Sequence, residues 1–255
     1  MTAEFVHCKY NGGAATLTLD RAPDNLMNIE MMEQLNTALL ELRDHPELKV
    51  LVIRGAGDFF CGGVDFTDHT RERVGRLVQV FHRIFETLRL LDVIAVAAVD
   101  GRAVGGGFEL AIGCNLVVAS ESSRFSVPQI DMGAIPLLAS VVLPRAIARR
   151  KAMEWILTGD EIAASELERF GLVNRVYPDD AFEDGVAGFV GQLTSKSGPV
   201  LHLAKRAQIE SYYATYEEAL YKVENLYLRD LLSLADHQEG VQSVLEGRQP
   251  KWRDE

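Results

Sequence analysis

Glu109 is the residue whose type and surroundings most suggest chemistry. It lies in Gly105-Gly106-Gly107-Phe108-Glu109-Leu110-Ala111-Ile112, an acid among apolar neighbours. Loss of water raises a carboxyl's pKa towards the range useful for proton transfer. The three glycines let a backbone approach a ligand closely or turn through positive φ. A helix starting there points unpaired N–H groups and the positive end of its dipole into the gap. A second glycine-rich stretch, GAGDFFCGG over residues 55–63, runs into Val64. If the strands before these two stretches are neighbours, N–H groups from both can converge on one carbonyl oxygen as an oxyanion hole. Glu109, three residues beyond one donor, could then move a proton at the adjacent carbon. The purely structural alternative is that the glycines only let a helix pack on a sheet and Glu109 is an ordinary first-turn acid.

Other chemistries lack their residues. GRAVGGGFE has neither the G-x-G-x-x-G order nor Gly-Lys-Ser/Thr, so it is no dinucleotide or phosphate loop. There is no G-x-S-x-G, and Cys61, without a patterned histidine, reads as a small packing residue. Cys8, Cys61 and Cys114 lie far apart and the six histidines form no spaced pair, which argues against disulfides and zinc. The expectation is enolate chemistry on an activated carbonyl compound, without metal or redox cofactor.

The elements that must position these groups follow from periodicity. Residues 93–99 and 116–119 read as buried strands around the Glu109 helix, and 50–54 as another. Residues 5–10 and 14–19 flank Asn11-Gly12-Gly13 as a hairpin. Asn28 is the N-cap expected for a helix over 29–43, and residues 77–90 form an amphipathic helix. Residues 124–133 read as extended and turn-like. A helix over 139–149 carries Pro144, which predicts a break or a fresh start. Gly159 and Gly171 stop helices, and 172–177 is a short strand. From residue 179 the pattern is helical almost throughout. The change from alternating elements to helices alone, near residue 195, marks a subdomain boundary. Alternating strands and helices mean an α/β fold.

The chain has 255 residues, enough for one large domain with a substantial core. Its formal net charge of −11 excludes the basic stripe that nucleic acid requires. No apolar run reaches membrane-spanning length, and MTAEFVHCKY lacks the regions of a signal peptide. With unpaired cysteines, the expectation is a cytoplasmic protein without nucleic-acid or membrane partners.

In chain order, LTLDRAPDNLMN, VLVIRGAGDFFCGGVDF, AVAAVDGRAVGGGFELAIGCNLVVAS, RFSVPQIDMGAIP, LTGDEIAASELERFGLVNRV and a tail ending in EGRQPKW resemble the enoyl-CoA hydratase/isomerase (crotonase) superfamily. The resemblance spans essentially the whole chain. It implies a crotonase-type spiral of β–β–α turns, a core domain over 1–195, and a helical trimerisation region over 196–255. The assembly expected is a homotrimer or a dimer of trimers. The ligand implied is an acyl-coenzyme A thioester, with coenzyme A part of the substrate and no separate cofactor. By position, the backbone N–H groups of Val64 and Gly106 hold the thioester carbonyl, and Glu109 is the first catalytic glutamate. Gly62 and Phe66 lie along the coenzyme A, and Arg71 or Arg73 reaches its phosphates.

The chain also departs from the family pattern. Gln129 stands at the second catalytic glutamate, Leu137-Leu138-Ala139-Ser140 replaces a glycine-rich stretch, and Asn115 replaces an aspartate. IDMGAIPLLASVVLPR and YLRDLLSLADHQEG look most like the branch that hydrates cyclohexa-1,5-diene-1-carbonyl-CoA. An amide can position water but cannot take its proton. Asp131 is the candidate for a missing second acid, since alternation in an extended segment puts it on the side of Gln129; its alternative is a turn residue before Gly133. Three functions are consistent with these residues: a hydratase using Glu109 with water held by Gln129, a single-acid isomerase or decarboxylase, and a non-catalytic acyl-CoA binding protein.

Overall fold

The computed structural model describes residues 4–255; the first three residues of the stretch read for a signal peptide lie outside the described residues. The strands are β1 (Val6–Asn11), β2 (Ala14–Leu19), β3 (Val50–Gly55), β4 (Phe59–Cys61), β5 (Ile94–Val99), β6 (Arg102–Val104), β7 (Leu116–Ser120), β8 (Arg124–Ser126), β9 (Ile162–Ala163) and β10 (Arg175–Tyr177). The helices are α1 (Ile29–Glu41), α2 (Val74–Leu90), α3 (Gly106–Gly113), α4 (Ala139–Ala146), α5 (Arg149–Thr158), α6 (Ala164–Arg169), α7 (Phe182–Thr194), α8 (Gly198–Ser211), α9 (Tyr216–Asn225) and α10 (Ala235–Glu246).

Six strands form the larger sheet in the order β1-β2-β3-β5-β7-β10, parallel except for the β1–β2 hairpin. β5, Ile-Ala-Val-Ala-Ala-Val, is buried along its whole length, as expected of a parallel strand covered on both faces. One face packs Met31, Leu35, Phe81, Ile84 and Phe108 into the main core. The other packs Val52, Val96 and Val118 under Phe182 and Val186 of α7. Asn28 caps α1 as expected, its side chain accepting from the Met31 N–H at 2.9 Å.

The second sheet has the order β4-β6-β8-β9. β4 follows β3, β6 follows β5 and β8 follows β7, so each turn adds a short strand to the small sheet. The result is the spiral of β–β–α turns that the resemblance implied. It also explains how the two glycine-rich stretches meet: β3 and β5 are parallel neighbours, and β4 pairs with β6 beyond their ends.

Some expectations change. The break that Pro144 predicted within 139–149 falls two residues later than the proline, after Ala146, and α5 begins at Arg149. The segment before it is not extended throughout: Pro128–Met132 is a 3₁₀ turn with Pro128 at its start. Within the stretch read as helical from residue 179, α9 gives way to a π turn, Leu226–Asp230, and a 3₁₀ turn, Leu231–Ser233.

The C-terminal helices are fastened to the core. Buried Lys205 of α8 donates to the carbonyls of Leu88, Leu91 and Val93 at 2.9, 2.8 and 2.9 Å. Two of these are orphan acceptors at the end of α2, where a cation is favoured. Burial lowers the lysine's pKa to about 8. Lys49 pairs with Asp254 at 2.9 Å, and Trp252 Nε1 donates to the Ser195 carbonyl at 3.0 Å. Among the described residues no helix is long and apolar enough to cross a membrane.

Candidate active site

The Val64 amide is aimed by its neighbours. Met27 bridges the strand segment around Val64: its N–H donates to the Gly63 carbonyl at 2.7 Å, and its carbonyl accepts from the Asp65 N–H at 3.0 Å. Alternation along an extended segment then turns the Val64 N–H the other way. That way lies Gly106: a Cβ placed on Gly106 would stand 3.4 Å from the Val64 nitrogen. Gly106 opens α3, so its own N–H has no intrahelical acceptor. Neither amide donates a hydrogen bond among the described residues.

Glycine is required around this gap for two reasons. Gly63 and Gly105 have φ of 112° and 53°, which L side chains rarely adopt. Gly107 packs so closely that a Cβ there would lie 2.1 Å from the Cys61 carbonyl oxygen. Cys61 is itself buried, and burial pushes its thiol up to about 12, so it is the packing residue expected.

Glu109 is 2 % exposed. Its Oε2 accepts from Gln129 Nε2 at 3.1 Å, and its Oε1 accepts from the N–H groups of Leu138 and Ala139, the latter at 2.9 Å. Burial raises its pKa to about 7, with those hydrogen bonds pulling the other way. A carboxyl poised there can act as base or acid near neutral pH. Gln129 also lies against Gly105: a Cβ on Gly105 would meet its Nε2 at 3.5 Å. Gln129 Oε1 is buried without a hydrogen-bond partner among the described residues. These contacts bring the Val64 and Gly106 amides, the Gln129 side chain and the Glu109 carboxyl close together.

Asp131 does not join them by the route expected. In a 3₁₀ turn, residues two apart do not share a face, so the alternation that aligned it with Gln129 is absent. Its carboxyl is exposed and stands by Gly159, where a Cβ would meet its Oδ2 at 3.2 Å. Nothing in the residue types pointed to the part played by Leu138 and Ala139. Their amides begin α4 and grip Glu109 where the glycine-rich stretch was replaced. Asn115 serves the fold: its Oδ1 accepts from the Ala95 N–H at 2.9 Å, tying β5 to the end of α3.

The enoyl-CoA hydratase/isomerase family model matches residues 9–255. The chain belongs to that family. A carnitinyl-CoA dehydratase of Salmonella paratyphi A is 32% identical, the match covering 98% of this chain and 99% of that one. A probable enoyl-CoA hydratase of Mycobacterium bovis is 29% identical over 99% of both. The crystal structure of human enoyl coenzyme A hydratase domain-containing protein 3 superimposes with a TM-score of 0.92 at 27% identity, covering 98% of this chain and 100% of that one.

Of the residues that the family resemblance set along coenzyme A, Phe66 is 55% exposed beside the Val64 loop, its ring 5.5 Å from that of His69. Gly62 packs on the Asp24–Leu26 segment, its N–H donating to the Asp24 carbonyl at 2.7 Å. Arg73 is held by Asp68 at 2.8 Å, while the Asp68 carboxylate also accepts from the Ile29 N–H. Arg71 is exposed and makes no ion pair among the described residues.

Proposed function

We propose that this chain is an acyl-CoA hydro-lyase that adds water to an enoyl- or cyclic dienoyl-CoA thioester. The observation that carries the reading is a single buried carboxyl, Glu109, sharing a gap with two uncommitted amides. In this reading the Val64 and Gly106 N–H groups hold the thioester oxygen. Glu109 takes a proton from water as the water oxygen bonds to the β-carbon, and the π electrons move onto the thioester oxygen as an enolate. The enolate then returns its electrons to the α-carbon, which takes the proton from Glu109. One carboxyl closes the cycle, and the elements of water are conserved. Gln129 donates to Glu109 through Nε2 and offers Oε1 to the other hydrogen of the water. The names of the relatives, hydratases and a dehydratase, support movement of water. The resemblance in 130–145 and 227–240 favours a cyclic diene thioester such as cyclohexa-1,5-diene-1-carbonyl-CoA.

The lone carboxyl also suits a second reading, an isomerase or decarboxylase in which Glu109 carries one proton between carbons. A panel of linear and cyclic enoyl- and dienoyl-CoA esters followed by mass spectrometry separates the two. Gain of water by a cyclic dienoyl ester is the expected result. Rearrangement or loss of carbon dioxide without gain of water supports the second reading. Binding with neither product nor exchange of α-protons makes the chain a non-catalytic binder.

A further inference from the structure

The segment before α1 is wrapped around the loop that carries Val64. Arg21 donates through Nη2 to Asp65 Oδ2 and through Nη1 to the Leu26 carbonyl, both at 2.8 Å. Asn25, buried and left-handed at φ 53°, accepts from the Arg21 N–H at 2.9 Å. Its Nδ2 donates to the carbonyls of Ala56 and Phe59 at 2.8 and 2.7 Å. Met27 then pins both neighbours of Val64. Asp65 Oδ1 accepts from the Thr67 N–H at 3.0 Å and its hydroxyl at 2.8 Å, which fixes the chain beyond. Every peptide around Val64 is held from the side away from the gap.

We propose that Arg21 and Asp65 are positioning residues that fix the direction of the Val64 N–H towards the thioester carbonyl, a proposal that rests on the oxyanion-hole reading above. The ion pair is mostly shielded, with side-chain exposures of 27% and 12%. It is therefore screened less by solvent and salt than a surface pair. A planar guanidinium that binds a carboxylate and a carbonyl together sets an angle as well as a distance. Oxyanion donors depend on such fixed aim, because they stabilise charge by being oriented before it develops.

The test uses butyryl-CoA, a saturated thioester, labelled with ¹³C at its carbonyl. Asp65→Asn keeps the oxygen that Thr67 needs and removes the charge facing Arg21. Arg21→Lys keeps the charge and removes the two-pronged grip. Gly106→Ala puts a methyl group 2.7 Å from Val64 Cγ2 and 3.4 Å from the Val64 nitrogen, and serves as the oxyanion control. In the parent, binding moves the carbonyl resonance downfield, and α-protons exchange with D₂O. We expect Asp65→Asn and Arg21→Lys to reduce the downfield shift and slow exchange about tenfold to a hundredfold, with binding retained. The double variant should be little worse than either single one, since the pair acts as a unit. If Gly106→Ala loses the shift while both brace variants keep it, the brace is only structural and this proposal fails alone. If Gly106→Ala keeps the parent's shift, or the parent does not bind butyryl-CoA, the oxyanion reading falls and the brace with it.

Discussion

Glu109 combines two costs that a merely structural acid would avoid: it is buried, and it lacks a cationic partner among its hydrogen bonds. Burial raises its pKa from 4.5 to about 7. Between those values the folded protein holds a proton that the unfolded chain has released. Stability therefore falls as pH rises from 4.5 through 7, by about 3 kcal/mol at 1.36 kcal/mol per unit. Glu109→Gln cannot titrate, and its oxygen can still accept from Leu138 and Ala139. Its stability advantage over the parent, read from urea midpoints, should be small at pH 5 and large at pH 8. Turnover should fall about 10²–10⁴-fold while acyl-CoA binding survives. A variant with the parent's turnover would make Glu109 structural. At Gln129 the choice of an amide leaves Glu109 without a like-charged neighbour. Gln129→Glu puts a second carboxyl about 3.1 Å away, where two carboxyls share a proton. Hydration of crotonyl-CoA, expected to be slow in the parent, should rise. Equal rates before and after, at an ordinary kcat of about 10 s⁻¹, would remove this account of Gln129. Both residues were legible in the sequence, Glu109 from its apolar neighbours and glycines, Gln129 from its place in a resembling segment. The partners of Glu109 were not, because backbone amides carry no residue-type signal.

At the scale of elements, α4 acts through its first amides. Its N-terminus supplies the N–H groups of Leu138 and Ala139 to the Glu109 carboxylate, where unpaired donors and the positive helix end favour negative charge. Leu138 has φ −78°, within reach of proline. Leu138→Pro removes one donor, so Glu109 should become a weaker acid and the inflection in the pH–rate profile should move above 7. Leu138→Ala keeps the donor and loses only the side-chain packing beside Gly113 and Phe85; its inflection should stay in place. Matching profiles for the proline variant and the parent would show that α4 does not tune the carboxyl. The long elements were legible because each had a period or a cap, as with Asn28 before α1. The small sheet was not. Its strands are two or three residues long, too short for alternation to register, yet they bring the two glycine loops together. Likewise, a proline opening a 3₁₀ turn at Pro128 looks like extended chain, and that misreading carried Asp131 to the wrong face.

Across the whole molecule, the core accounts for Leu226, which is 7% exposed, but leaves other apolar side chains of the C-terminal helices in solvent. Val244 is 80% and Leu245 77% exposed on α10, and Tyr213 and Tyr216 are 75% and 78% exposed around the end of α8. Between α8 and α10 runs a groove of about 610 Å³ that includes Val200, Leu201 and Trp252. Within the helices after residue 195, Leu220 and Tyr227 are exposed, whereas Leu226 is used within the protomer. Periodicity identifies an apolar face but not which part of it the chain's own core covers. Apolar side chains gathered along a groove, as Val244 and Leu245 are, mark association more often than solvent exposure. The expected species in solution is a homotrimer or a dimer of trimers, built through residues after about 195. Val244→Asp tests the α10 face without disturbing the protomer, since a side chain so exposed has little packing to lose. Light scattering at micromolar concentration should give a trimer or hexamer for the parent and a smaller species for Val244→Asp, with the circular dichroism of the helices retained. A monomeric parent would refute the assembly, and an unaltered assembly in Val244→Asp would move the contact off α10.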